Sequence, residues 1–340
     1  MDPSEHFFLV DRNEKEAPDY MKAYENVLSV DHMGTSDEGE KTLFDYAGIS
    51  ENIIFHSLGW HWKLQKKLLE RKDICSRALW IPWGRDLYEY ERRSSNPLRS
   101  VYYGYTNKIM TSLRKNMSAA AVIFPKDTEK VSELLGGEKK VYEARYTTFS
   151  EEDVLRMKPE KRDSDSFNIL LGHASMKCLE HEKMLNALSH FKGENVRIYI
   201  PLSYGDKLYA RSVSSYAGEI FGDKAVILSE FMDADEYTAL LWQMDAAIFN
   251  TERQVALGNI CRLIYMCCKI YTLPGGALER ELSANGCKTF DSGKIAGMTF
   301  DDFRSTEDIC REPPEWARDS MDIGKTAEIW KNIFEKISSR

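Results

Sequence analysis

Short apolar runs alternate with longer amphipathic stretches along the chain, and the alternation begins again halfway through. Residues 7–10, 52–56, 78–81 and 119–124 have the length and composition of buried strands, and residues 141–149 alternate like an edge strand. A helical period at Trp62, Leu64, Leu68 and Leu69 separates the second run from the third. Residues 19–27 are helix-like, and 31–41 are polar and turn-rich. The stretch 151–166 is charged, carries Pro159 and lacks an apolar period, so it is the expected linker. Beyond it strands are predicted at 167–171, 196–200, 225–228 and 246–249, followed by a short β-branched run ending at Leu273. Helices are expected between them: one carrying His181 and reaching Phe191, then 207–221, 233–244 and 260–268. Strands alternating with helices predict parallel sheets, one in each half.

The tail adds Pro313-Pro314 and an amphipathic helix over 316–337, through Trp316, Ile329, Trp330, Ile333 and Phe334. It is expected either to cross back to the first domain or to pack on its own. The organisation is therefore α/β, with domains at 1–155 and 156–315 and a C-terminal helix at 316–340.

Composition narrows the class. At 340 residues the chain exceeds one ordinary core. No apolar run is long enough to span a bilayer, and the acidic start does not resemble a secretory signal. Seven cysteines, odd in number and without metal spacing, suit a reduced cytoplasmic protein with no metal site. The net charge of -8 argues against nucleic acid as a partner. That charge is uneven, since residues 60–116 hold 13 Lys and Arg against 5 Asp and Glu. Lys63, Lys66, Lys67, Arg71 and Lys72 lie beside Trp60, Trp62 and Leu64, a composition suited to an anionic membrane surface and equally to a solvated helix face.

Candidate chemistry gathers where strands end. After 246–249 a polar loop holds Arg253 and Gln254, and Gly258-Asn259 open a helix. The unpaired amides and positive dipole of a helix start attract phosphate, Gly258 permits close approach, and Asn259 suits a cap. The same residues also fit an ordinary helix start. After 167–171 comes a second loop of this kind, Gly172-His173-Ala174-Ser175, and Tyr204-Gly205 follow Pro201. Neither loop has the spaced glycines that a dinucleotide cofactor needs, which disfavours an oxidoreductase. In the first half, Asp86 lies in the loop 83–88 and His56 at a strand's carboxyl end, where α/β sheets bind ligands. Asp86 is equally placed to cap a helix, and a lone histidine at a strand end, as His56 is, is more often structural. Two such halves with loops facing a shared cleft make the glycosyltransferase-B plan of two Rossmann-like domains.

Four ordered blocks over residues 50–290 carry a more specific likeness. They are Trp83-Gly84-Arg85-Asp86-Leu87-Tyr88; Ile169 through Ser175 with Glu180-His181; Pro201 with Tyr204-Gly205; and Asp245 through Arg253-Gln254, Gly258-Asn259 and Leu263. With these the chain resembles the TDP-N-acetylfucosamine:lipid II N-acetylfucosaminyltransferases, bacterial glycosyltransferase family 56. It departs from the family pattern in having His173 where Asn is usual. The family usually opens with another strand and helix, so the resemblance implies an abbreviated first domain.

The resemblance implies transfer of a sugar such as N-acetylfucosamine from a nucleotide diphosphate donor to a lipid-linked saccharide, without cofactor or structural metal. That activity belongs to surface polysaccharide synthesis, enterobacterial common antigen-like, at the inner face of the plasma membrane. In these terms Gly172, His173, Ser175, Tyr204, Arg253, Gln254, Gly258 and Asn259 are expected to bind the nucleotide sugar. Asp86 is the first candidate for the general base and His56 the second. A nucleotide-sugar epimerase and a non-catalytic nucleotide-sugar-binding protein are the alternatives on the same fold.

Overall fold

The computed structural model describes residues 3–12, 24–83, 85–88, 96–147, 149–161, 165–307, 309 and 311–339. The chain divides into two compact units, residues 1–145 with 326–340, and residues 146–325.

In the first unit β3 (Ile53–His56), β4 (Ala78–Ile81), β5 (Ala119–Val122) and β6 (Val141–Glu143) form a parallel sheet in that order. Every residue of β4 and β5 is buried, which is why both read as unbroken apolar runs. β1 (Phe8–Arg12) and β2 (Val27–Asp31) pair in parallel as a separate two-stranded sheet. The amphipathic helix Trp62–Glu70 turns Leu64 and Leu68 into the core beside Trp80 and Met110.

Two expectations change here. Residues 31–41 are not all loop, because the helix Asp37–Ile49 begins inside them, with the Ser36 hydroxyl accepting the amide of Gly39 at 2.9 Å. Asp37, Glu38 and Glu40 look like loop residues but fill the first helical turn, where negative charge meets the dipole. The helix-like stretch 19–27 lies mostly outside the described residues, and Val27 opens β2.

The second unit has six parallel strands, β7 (Phe167–Leu171), β8 (Val196–Pro201), β9 (Ala225–Leu228), β10 (Ala246–Phe249), β11 (Lys269–Thr272) and β12 (Phe290–Asp291). They lie in the order β12-β11-β10-β7-β8-β9. The chain builds outward from β7 through β8 and β9, then crosses to its other side for β10, β11 and β12. The order therefore reverses between β7 and β10, and the crevice beyond the carboxyl ends of that pair is where such sheets take ligands.

The expected linker is partly ordered. Residues Glu151–Arg156 form a helix with a capping box, in which Ser150 and Asp153 exchange bonds, and Val154 joins the second unit's core. Among the described residues of 141–149, strand structure is confined to Val141–Glu143. The tail is two helices, Glu315–Ser320 and Ile323–Ser338. Ala317 lies in the core of the second unit. From Thr326 on the chain belongs to the first unit, where the Trp330 indole donates to the Arg145 carbonyl at 2.8 Å.

Candidate functional site

At the switch between β7 and β10, the Gly172 amide donates to the carbonyl of Ile248 at 2.9 Å. Gly172 has φ +71°, and a Cβ there would stand 2.6 Å from Nε2 of His181. Two buried imidazoles flank this turn. His181 is fully buried with Nδ1 3.3 Å from the Tyr209 hydroxyl, and its Nε2 has no partner among the described residues. His173 is 7% exposed, and its Nδ1 likewise has none. Burial pushes both pKa values down to about 4, with the nearby His173 adding to the effect on His181, so both rings are neutral at physiological pH.

Ser175 does not point a hydroxyl at a ligand. It is buried and donates to the carbonyl of Tyr204 at 2.8 Å, while its own carbonyl accepts the amide of Asp206. Gly205, at φ +112°, lets this latch close, since a Cβ there would stand 2.6 Å from the Ser175 carbonyl oxygen. The latch delivers Tyr204 half-exposed, edge-on to His173 with ring centroids 6.1 Å apart.

Beyond β10 the side chain of Asn250, buried, donates to Glu180 and accepts from Ser292 at 2.7 Å, tying the two loops together. The Arg253 amide donates to the Thr251 hydroxyl at 3.2 Å. From Gln254 through Gly258 the backbone amides then find no acceptor among the described residues, and the buried Oε1 of Gln254 has no partner either. This run leads into the helix Leu257–Tyr265, which starts at Ala256 with φ +51° and no side-chain cap. Asn259 is thus not the cap. It sits in the first turn, with Oδ1 accepting from Arg262 at 2.8 Å and Nδ2 3.4 Å from the Tyr237 hydroxyl. Consecutive amides without acceptors at the positive end of a helix dipole have the chemistry to accept an anion. Arg262 escapes a reading by loops, although a lone cation four residues after Gly258, within the apolar run Ile260 to Tyr265, is a visible signal.

In the first unit Asp86 proves structural. It is fully buried, with Oδ2 accepting the Leu58 amide at 2.8 Å and the Trp80 indole at 2.7 Å, and Oδ1 accepting the Trp83 amide at 2.9 Å. A carboxylate so enclosed is out of reach of a substrate hydroxyl, which corrects its assignment as the base. The stretch around it is one helical turn, Arg85–Tyr88, and Gly84 lies outside the described residues. His56, by contrast, is exposed at the end of β3, its ring 6.4 Å from that of Trp83. Crowding by the surrounding protein lowers its pKa, favouring the neutral, proton-accepting ring.

The basic face is also rearranged. Leu64 is buried, Lys67 pairs with Glu40, and Arg71 pairs with Asp73 at 2.8 Å, so the 62–70 helix offers Lys63 and Lys66 without an apolar anchor of its own beyond its first turn. Exposed apolar side chains instead line the helix Pro97–Asn116: Leu98, Val101, Tyr102 and Tyr105. No helix among the described residues is long and apolar enough to cross a membrane.

Solved structures share this architecture. Anabaena HepE, in complex with UDP and glucose, superposes with a TM-score of 0.65 at 13% identity, covering 98% of this chain and 92% of that one. Sucrose-phosphate synthase from Thermosynechococcus elongatus gives 0.58 at 12% identity over 98% and 85% of the two chains. An α,α-trehalose-phosphate synthase (UDP-forming) from Burkholderia vietnamiensis gives 0.56 at 10%, over 82% and 76%. The fold is the glycosyltransferase-B type. Residues 5–285 match the family described as 4-alpha-L-fucosyltransferase, glycosyl transferase group 56, and the chain belongs to that family.

Proposed function

We propose that this glycosyltransferase moves a sugar of the N-acetylfucosamine type from a nucleotide diphosphate to a lipid-linked saccharide, on the cytoplasmic face of the plasma membrane. The observation that carries the reading is the run of acceptor-less amides from Gln254 to Gly258 at the switch point of the second sheet. As the glycosidic bond breaks, the leaving diphosphate gains charge, and donors already fixed toward it lower the barrier. Losing one such donor typically costs about 10²–10³ in rate. His173 and Tyr204, on the adjacent strand ends, supply an uncharged donor and an aromatic face suited to the sugar or base. Arg253 adds charge from the same loop.

The acceptor hydroxyl must lose a proton, and His56 is the base proposed for it. Exposure and a lowered pKa support this role. The lipid carrier places the reaction at an anionic surface, and the apolar stripe of the 97–116 helix, within the basic stretch 60–116, supports attachment there.

Melting the protein against a panel of nucleotide diphosphate sugars tests the reading, because a ligand that binds only the folded state raises the midpoint. TDP- and UDP-linked 4-acetamido-4,6-dideoxyhexoses are expected to give the largest shifts, and incubation with donor alone is expected to leave the sugar unepimerised. A flat panel would remove the donor assignment.

A further inference from the structure

Arg262 is 7% exposed, and among the described residues no carboxylate pairs with it. Each of its three nitrogens bonds a neutral acceptor: Nε the Gly258 carbonyl at 3.1 Å, Nη1 the Thr238 hydroxyl, and Nη2 the Asn259 Oδ1 at 2.8 Å. Its guanidinium carbon lies 4.3 Å from the ring centre of Phe149 and 5.9 Å from that of Tyr237. Aromatic faces and neutral acceptors offset only part of the cost of taking a cation out of water, and burial accordingly pushes its pKa down to about 10. A fold gains little from such a group unless an anion joins it.

The direction of the side chain indicates where that anion sits. Helical side chains lean toward the amino end, and Arg262 reaches back three and four residues to Asn259 and Gly258. The positive charge therefore lies beside the first helical turn, at the end where the amides of Gln254 to Gly258 have no acceptor. Holding Oδ1 of Asn259 also fixes that amide, whose Nδ2 gives one hydrogen to the Tyr237 hydroxyl at 3.4 Å and keeps the other as a donor.

We propose that Arg262 is a positioning residue of the donor site, a buried cation whose counter-charge is the diphosphate of the nucleotide sugar, acting through Asn259 and the helix start. The inference rests on the donor-site reading above and adds a residue that touches no substrate. A different role is a purely structural strut joining the helices Ala234–Leu241 and Leu257–Tyr265 through Thr238. A strut affects stability and leaves anion affinity alone.

Comparing Arg262→Lys with Arg262→Gln separates the two, because both keep a donor while only one keeps the charge. Inorganic pyrophosphate, followed by calorimetric titration and by its shift of the melting midpoint, is the probe. Arg262→Lys is expected to bind within about threefold of the unaltered protein, and Arg262→Gln at least about tenfold more weakly. In turnover the Gln variant then shows its larger loss in KM for the donor, with a smaller one in kcat. Equal pyrophosphate affinity in the two variants would overturn the inference and leave the donor site standing. If the unaltered protein itself does not bind pyrophosphate, the donor-site reading falls and takes the inference with it.

Discussion

Gly172 and His181 share one small space: a β-carbon at position 172 would stand 2.6 Å from the Nε2 of the buried imidazole. No rotation of a fully buried ring relieves such a contact cheaply, and φ +71° already strains any other residue. Gly172→Ala is therefore expected to cost roughly 2–4 kcal/mol from the combined strain and overlap, seen as a lower urea midpoint with unchanged slope. His181→Ala in the same chain should return part of the loss. If Gly172→Ala melts like the unaltered protein, the turn has room for a β-carbon and the close approach to His181 does not hold in solution.

The same imidazoles set an acid limit on the second unit. Their pKa values near 4 lie below the usual histidine value of 6.5, so the unfolded chain binds more protons between those two pH values. Their contribution is then complete above about pH 6.5 and is lost as pH falls toward 4. For a displacement of this size the loss between pH 7 and pH 5 is about 2 kcal/mol per histidine. Urea unfolding at the two pH values measures it. Replacing His181 with Gln should flatten the difference by about half.

Asp86 and His56 make opposite predictions although both sit at strand ends in the first sheet. Asp86→Asn sets an amide against one of the three N–H groups that the carboxylate now accepts. Each buried group left unsatisfied costs about 1–3 kcal/mol, so the variant should lose stability, with activity falling only in step with the folded fraction. His56→Ala should fold normally, keep donor affinity, and lose about 10²–10⁴ in kcat as a missing general base does. In the intact protein kcat should rise with pH through a value below 6.5, since the ring must be neutral to accept a proton. An Asp86→Asn protein that is fully folded but inactive would reverse the two assignments.

Much of this was legible in the sequence, and the reasons differ from element to element. The runs at β4, β5 and β10 are apolar throughout, and β7 is apolar apart from Asn168, because parallel strands are covered on both faces, so their ends, and the loops leading from Gly172 and Asn250, stand out. Asp86 does not reveal its burial locally, because a polar residue in a loop has the look of an exposed one. The Trp80 indole, buried on the preceding strand, needs an acceptor, and that requirement marks Asp86 as internal. Ser175 closes on Tyr204 and Gly205, some thirty residues away, and no local pattern carries that contact. Asn259 has a capping residue's chemistry, but the bond from Arg262 one turn later takes its oxygen.

The helix Pro97–Asn116 gives the last prediction. Leu98, Val101, Tyr102 and Tyr105 are 83%, 75%, 48% and 44% exposed and fall within about 100° of arc at helical spacing. Farther along, Ile109 and Leu113 continue the same stripe into the core, so its first turns carry an apolar face past the core edge. Trp62 joins it, edge-on to Tyr105 at 5.5 Å, and Lys63 follows at the surface. Burying two exposed aliphatic side chains in lipid contributes about 1.5–3 kcal/mol each, and each nearby cation about 1 kcal/mol on an anionic surface. Leu98→Glu combined with Val101→Glu should therefore reduce sedimentation with phosphatidylglycerol-containing vesicles at least tenfold, about 1.4 kcal/mol or more. Lys63→Glu with Lys66→Glu should chiefly weaken the salt-dependent part. Neither pair lies in the donor unit, so the pyrophosphate-induced shift in melting should be the same as in the unaltered protein. Equal sedimentation of all three proteins would exclude this stripe as the attachment surface.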